Sequence, residues 1–299
     1  MKTLLTGIVL MTLSWAAVGQ TFTEKINKDL SFEKKSTENA VIVANINGDV
    51  TVTGYEGDHV LVEVTKTIKG KTQERLEKGK KDIQVGVINR ADTLLLFMEG
   101  GCNVFGRLNG KNDRNKPTRW GYNWNCNNGC RDCCDTPYDY TLDFNIKVPA
   151  GINLVLSTVN DGNIKVENVK GSVYTNNVNG SIKLANLASD ASASTINGDV
   201  DIEYDRNPQK ECRFYTLNGN INAWFQKGLA ANMSFESFNG EFYTNINQLE
   251  SLPPIVEKKQ KGEGVRYKVN GNRYKIGSGG VYLDFETFNG DVYLKEKTN

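Results

Sequence analysis

Six cysteines carry the densest chemistry in the chain: Cys102, Cys126, Cys130, Cys133, Cys134 and Cys212. Four of them fall within residues 126–134, a density that suits a zinc site. Adjacent Cys133 and Cys134 are poor co-ligands of one tetrahedral ion, and no paired CxxC…CxxC spacing occurs, so no metal is expected. In an exported chain, disulfides are the expected state, and six cysteines leave 15 connectivities open. Cys212 falls in a repeated strand and is placed to pin the Cys-rich segment to the repeats.

Two further groups could hold a ligand. Trp120, Tyr122 and Trp124 alternate, so in an extended chain they share one face. Such a row stacks on sugar rings or covers the flank of a larger core; Arg119 and Arg131 stand nearby. In residues 265–276, Asn270-Gly271 reads as a tight hairpin turn pairing Tyr267 with Tyr274 and Val265 with Ile276. The other face then sets Arg266 against Lys275 and Lys268 against Arg273. Like charges directly opposite are unfavourable. An anionic envelope polymer would relieve them; a solvated, aggregation-resistant edge is the plainer reading.

Catalytic patterns are weak, and no enzyme or cofactor is expected. The single histidine, His59, follows Asp58, which suits an ordinary loop. No Gly-x-Ser-x-Gly elbow or phosphate-cradling glycine loop occurs. Asp199, Asp201 and Glu203 project to one side of a strand, as a β-helix lyase or glycosidase would need. Paired catalytic carboxylates require burial or crowding to separate their pKa values, and a solvated face is simpler. The nine-residue glycine-rich calcium repeat is absent.

The elements that must position these groups are announced by a recurrent phrase: apolar, Asn, Gly, polar, then apolar–polar–apolar. It appears as Val178-Asn179-Gly180-Ser181-Ile182, Ile196-Asn197-Gly198-Asp199-Val200, Leu217-Asn218-Gly219-Asn220-Ile221 and Phe238-Asn239-Gly240-Glu241-Phe242. Outlying copies sit at Asn47-Gly48 and Asn289-Gly290, and a looser one at Asn160-Asp161-Gly162. Successive glycines from Gly162 to Gly240 are 18 or 21 residues apart. That period marks units too short to bury their own apolar face, so neighbours must stack. Two-residue hairpins are the rival, but they would pair Ile196 with Asp199 and Phe238 with Glu241, apolar against polar. The expected fold is therefore all-β: a β-solenoid or β-helix of stacked ~18–21-residue coils, with Asn-Gly at corners where both residues tolerate positive φ. Inward ladders are expected through Ile164, Ile182, Val200, Ile221 and Phe242, and through Val166, Leu184, Ile202 and Ala223. Asn179, Asn197, Asn218 and Asn239 are expected to form an amide ladder. Thr158, Thr195, Thr216, Ser237 and Thr287, two places before each Asn, suggest a hydroxyl ladder.

Residues 1–19 read as a secretory signal: Lys2, a short apolar run, and Ala17-Val18-Gly19 before the cut. Residues 20–299 then form one domain with two insertions, the Cys- and aromatic-rich 101–137 and the hairpin-bearing 248–280. Residues 20–40 read as a polar lead, and 69–81 as a short helix or solvated loop. Lys and Arg number 36 and Asp and Glu 35, a balance with no pull toward nucleic acid. No later stretch is long and apolar enough to cross a membrane as a helix.

The phrase Thr195-Ile196-Asn197-Gly198-Asp199-Val200, the segment Val148-Pro149-Ala150-Gly151-Ile152 and the closing Thr287-Phe288-Asn289-Gly290-Asp291-Val292 together resemble the bacterial DUF4097 family, the adhesin-type exported proteins. The likeness covers about residues 40–98 and 138–294 and leaves both insertions outside. It implies a β-solenoid exposed outside the cytoplasm, with no established enzymatic activity, and offers no functional residues to carry over. The expected role is a non-catalytic module of the periplasm or cell surface, binding an envelope or extracellular glycan or protein. A polysaccharide-acting enzyme and a ligand-free structural or sensing module are the alternatives.

Overall fold

A computed structural model describes residues 19–100, 103–107, 122–126, 136–261, 264–270 and 272–297. Residues 1–18 of the proposed signal segment, Cys102, Trp120, Cys130, Cys133 and Cys134 lie outside the described residues. The chain is all-β, with one helix among the described residues.

The N-terminal part comprises β1 (Gln20–Leu30), β2 (Ala40–Ala44), β3 (Val50–Tyr55), β4 (Val60–Gly70), α1 (Gln73–Asp82), β5 (Gln84–Asn89) and β6 (Thr93–Glu99). A separate ribbon, β7 (Asn103–Arg107) with β8 (Tyr122–Cys126), precedes β9 (Tyr138–Pro149). The repeats supply β10 (Asn153–Ser157), β11 (Ile164–Glu167), β12 (Val173–Asn176), β13 (Ile182–Leu187) and β14 (Ala191–Asn197). They continue as β15 (Val200–Tyr204), β16 (Cys212–Asn218), β17 (Ile221–Phe225), β18 (Ala231–Asn239) and β19 (Phe242–Thr244). Then come β20 (Leu249–Leu252), β21 (Ile255–Lys261), β22 (Gly264–Asn270), β23 (Arg273–Ile276), β24 (Val281–Asn289) and β25 (Val292–Glu296).

Two large sheets hold these strands. One runs β1-β4-β9-β3-β11-β13-β15-β17-β25-β19, the other β20-β23-β18-β24-β16-β14-β12-β10-β2-β6-β5. At each Asn-Gly of the repeated phrase the chain leaves one sheet and enters the other, so Ile196 and Asp199 are not partners across a hairpin. Repeats pair in parallel and in register: Ile164, Ile182, Val200 and Ile221 share a row, and Val166, Leu184, Ile202 and Ala223 the next. All eight are buried, because strand alternation sends every second side chain between the sheets. One continuous buried cluster extends from Val41 to Leu294.

Spatial order departs from chain order at both ends. Val292, from the last strand, sits between Ile221 and Phe242. Phe285 likewise stands between Phe214 and Phe235. At the other end β3 lies between β9 and β11, and β2 between β6 and β10. The polar lead also holds a surprise: β1 pairs antiparallel with β4 along its whole length. Phe22, Ile26 and Leu30 pack on the core, but Glu24 and Lys28 interrupt the apolar side of the strand. Half-buried edge positions tolerate such charges. Of residues 69–81, the first two end β4 and those from Gln73 form α1, whose N-cap Thr72 accepts from Arg75 N at 3.3 Å.

Candidate functional site

Each corner is built from three side-chain ladders. Along the first, Asn Nδ2 donates to the Oδ1 of the neighbouring Asn: Asn179 to Asn160 (3.1 Å), Asn197 to Asn179 (2.8 Å), Asn218 to Asn197 (2.9 Å), Asn289 to Asn218 (2.8 Å) and Asn239 to Asn289 (2.9 Å). The expected amide ladder is present, with Asn289 inserted between Asn218 and Asn239.

The residues two places earlier do not bond to one another. Each reaches the glycine carbonyl of the neighbouring corner: Thr158 to Gly48 (2.9 Å), Asn177 to Gly162 (2.9 Å), Thr195 to Gly180 (2.8 Å) and Thr216 to Gly198 (2.8 Å). Thr287 to Gly219 (3.2 Å) and Ser237 to Gly290 (3.4 Å) complete the set. A bend exposes a carbonyl that no strand can pair, and a buried orphan carbonyl is costly. In the third ladder, the side chain after the glycine accepts the next corner's N–H, as Asp199 does from Asn220 at 2.8 Å.

Glycine, not asparagine, provides the unusual backbone. Gly198 has φ 153° and Gly290 φ 151°, whereas no corner Asn has positive φ. A Cβ on Gly198 would fall 2.4 Å from the Gly180 carbonyl oxygen. In the loose copy, the extra residue Asp161 takes φ 50°, which keeps Asn160 on the amide ladder.

One concavity lies on the outer face of the first sheet. It has a volume of about 530 Å³ and is lined by Lys183, Asp201, Glu203, Trp224, Asn245 and Lys295, among others. It opens where the β13–β15 register shifts between Leu184 and Leu187, with Asn186 at φ 56°. Trp224 stands on β17 beside Lys295 of β25, whose Nζ is 6.0 Å from the indole centroid and 5.4 Å from that of Tyr293. Asp201 accepts from Asn222 Nδ2 at 2.8 Å, and Glu203 pairs with Lys297 at 2.7 Å. Tyr293 stacks on Tyr243 with centroids 5.0 Å apart. The Tyr243 hydroxyl donates to Glu241 at 2.7 Å; that bond and the carboxylate's charge push its pKa up to about 12.

Of this cleft, sequence reasoning singled out only the acids Asp201 and Glu203 and passed over Trp224, Asn245 and Lys295. The available signal was a change in the outward slot of the repeat, from Lys183, Asp201 and Asn222 to Tyr293 and Tyr243 on the same row. Trp224 makes the same change one row away.

The residues singled out from sequence are dispersed. Tyr122 and Trp124 lie on β8, with backbones opposite Arg107 and Phe105. Cys126 ends the same strand opposite Asn103. Cys212 does not tether the Cys-rich segment. It is a free, buried thiol 3.1 Å from the Tyr204 hydroxyl, and burial raises its pKa. As an inward residue of β16 it faces the core, with its Sγ 3.5 Å from the Lys210 carbonyl.

The hairpin of residues 265–276 differs from expectation. Arg266 stands opposite Lys259 and Lys268 opposite Glu257, because β22 pairs with β21. Lys275 instead faces Glu250 and forms an ion pair with it, and Arg273 faces Leu252 and donates to the Pro253 carbonyl at 3.2 Å. The two expected oppositions, Arg266 with Lys275 and Lys268 with Arg273, therefore do not form, although Arg266 still meets a like charge in Lys259. Partners are taken from β18 and β20, which offer β23 a longer sheet than a lone hairpin would.

No family model matches the chain, and no curated protein matches it. Among solved structures, it is similar to a "putative cell adhesion protein" from Clostridium sporogenes, at 12% identity and TM-score 0.44, covering 92% of this chain and 100% of that one. A "putative adhesin" from Bacteroides fragilis aligns at 13% identity and TM-score 0.35, covering 92% and 97%. A "putative lipid binding protein" from Parabacteroides distasonis aligns at 10% identity and TM-score 0.29, covering 93% and 97%. No helix among the described residues is long and apolar enough to cross a membrane.

Proposed function

We propose that this chain is an exported, non-catalytic β-solenoid of adhesin type, which binds a saccharide through the Trp224 cleft. Supporting the solenoid is the alternation of each repeat between the two sheets, with three hydrogen-bonded ladders running through the corners. Export rests on the leader-like residues 1–19. Carrying the binding reading is one arrangement: a half-buried indole beside Asp201, Glu203, Asn245 and Lys295. An apolar ring face rimmed by hydrogen-bonding groups suits the alternating C–H and hydroxyl faces of a sugar.

The non-catalytic reading is favoured because the acids on this face already have partners. Asp199 holds a corner N–H, Asp201 an amide and Glu203 a lysine. Binding of the secreted protein to a glycan array, followed by calorimetry on the best hit, tests the proposal. Trp224→Ala should weaken binding roughly tenfold or more, with the melting curve retained. Unchanged affinity in that variant would remove the cleft from the account. Polysaccharide cleavage by the wild type, lost in Asp201→Asn, would overturn the non-catalytic reading.

A further inference from the structure

At one end of the stack the ladders stop without a covering strand among the described residues. At the corner of β18 and β19, Asn239 donates inward to Asn289, Ser237 to the Gly290 carbonyl, and Glu241 N to Asp291 Oδ1. On the far side of this corner, no described residue repeats those bonds to Asn239 Oδ1, the Gly240 carbonyl or the Glu241 carboxylate. β23 covers β18 only from Ala231 to Ser234, and Phe235 N still finds the Asn272 carbonyl. Among the described residues, 236–244 therefore form an uncovered strand edge that bends through the corner. Its rings are exposed too: Phe238, stacked on Phe288, is 75% exposed, and Tyr243 43%.

The opposite end of the first sheet is protected. The first corner is closed by β9, whose Leu142 and Phe144 N–H groups bond the Asn47 and Asp49 carbonyls at 2.9 Å. Beyond it, β1 forms an edge studded with Glu24, Lys25, Lys28 and Asp29, the pattern that discourages pairing. Residues 236–244 carry no lysine, arginine or proline.

We propose that this bent edge is a dimer interface, and that its occupant is a second copy of this chain. A straight strand can follow only one arm of the bend, so the match must itself turn a corner. Among the described residues, the only uncovered corner a second copy can offer is this same one. A twofold axis through Gly240 exchanges the two arms and makes the paired edges antiparallel, an isologous contact. The charges fit that arrangement. Glu241 of one copy then lies opposite Asn239 of the other, and Glu236 opposite Thr244, so acids meet an amide and a hydroxyl rather than each other. The free faces of Phe238 and Tyr243 lose their water in the same step. The inference is independent of what the Trp224 cleft binds.

Sedimentation equilibrium of the full exported chain over a concentration series tests it, with hydrogen exchange read at low and high concentration. A monomer–dimer equilibrium that goes no further is expected, with amides of residues 236–244 slowing as concentration rises. Phe238→Lys and, separately, Thr244→Lys should each weaken association at least tenfold while leaving the melting temperature near wild type. Thr23→Lys, on the charged β1 edge, should leave association unchanged. A wild type that stays monomeric, or species that keep growing beyond two, would overturn the proposal. So would a dimer that both corner variants leave intact.

Discussion

Thr216 and Asn218 stand two residues apart in the same corner and meet different surroundings. The Thr216 hydroxyl is fully buried and supplies the hydrogen bond found for the Gly198 carbonyl. Asn218 is exposed and bonds Asn197 where water could replace it. A lost bond costs most where it leaves a partner dry. Thr216→Val should therefore destabilise by about 1–3 kcal/mol, and Asn218→Ala by about 1 kcal/mol or less. Urea denaturation measures both, and equal losses would show that burial does not set the value of these rungs. At Gly198 the constraint is steric rather than polar: the next carbonyl occupies the space of a Cβ.

Strand β24 shows how an element late in the chain completes an interior row. It pairs in parallel with β16 on one side and β18 on the other, so Phe285 is enclosed between Phe214 and Phe235. Its ring is fully buried, 5.4 Å from that of Phe214. Three residues on, Phe288 stacks just as closely on Phe238, but at the surface. Phe285→Ala should cost about 3–5 kcal/mol, whereas Phe288→Ala should stay near 1 kcal/mol. Thermal and chemical unfolding of both variants would check this. Comparable losses would mean that β24 is not an interior strand. The helix α1 acts differently. Buried Lys66 reaches the Lys80 carbonyl near its C-terminus at 2.8 Å, and Gly79 lies against Ile68 and Tyr138, where a Cβ would clash.

Across the whole molecule, contacts are mostly between neighbouring strands, so stability should vary along the stack. The row from β11 to β17 has neighbours on both sides, whereas β19 ends its sheet. Hydrogen exchange at low protein concentration should be slowest in β11, β13 and β15 and fastest in β19 and β21. Uniform protection from end to end would argue for a single all-or-none unit. Surface ion pairs such as Lys25–Glu63 and Lys170–Glu56 are solvent-exposed and contribute little to this gradient.

Much of this was legible in the residues themselves. A period of 18 or 21 and strict apolar alternation require stacking, because one unit cannot bury its own face. The mismatch of Ile196 with Asp199 argues against hairpins, and the Asn positions announce their ladder. These signals are local and repeated, so pattern alone carries them. Tertiary structure decided where unlike pieces of chain meet. It threaded β24 and β25 inside the stack, gave β23 to β18 and β20 in place of a lone hairpin, and turned Cys212 into the core. It also gathered Trp224, Asp201, Glu203 and Lys295 from three strands into one cleft. Strand pairing is degenerate in sequence: an edge accepts any chain with the right alternation, and only competition within the folded whole selects the partner.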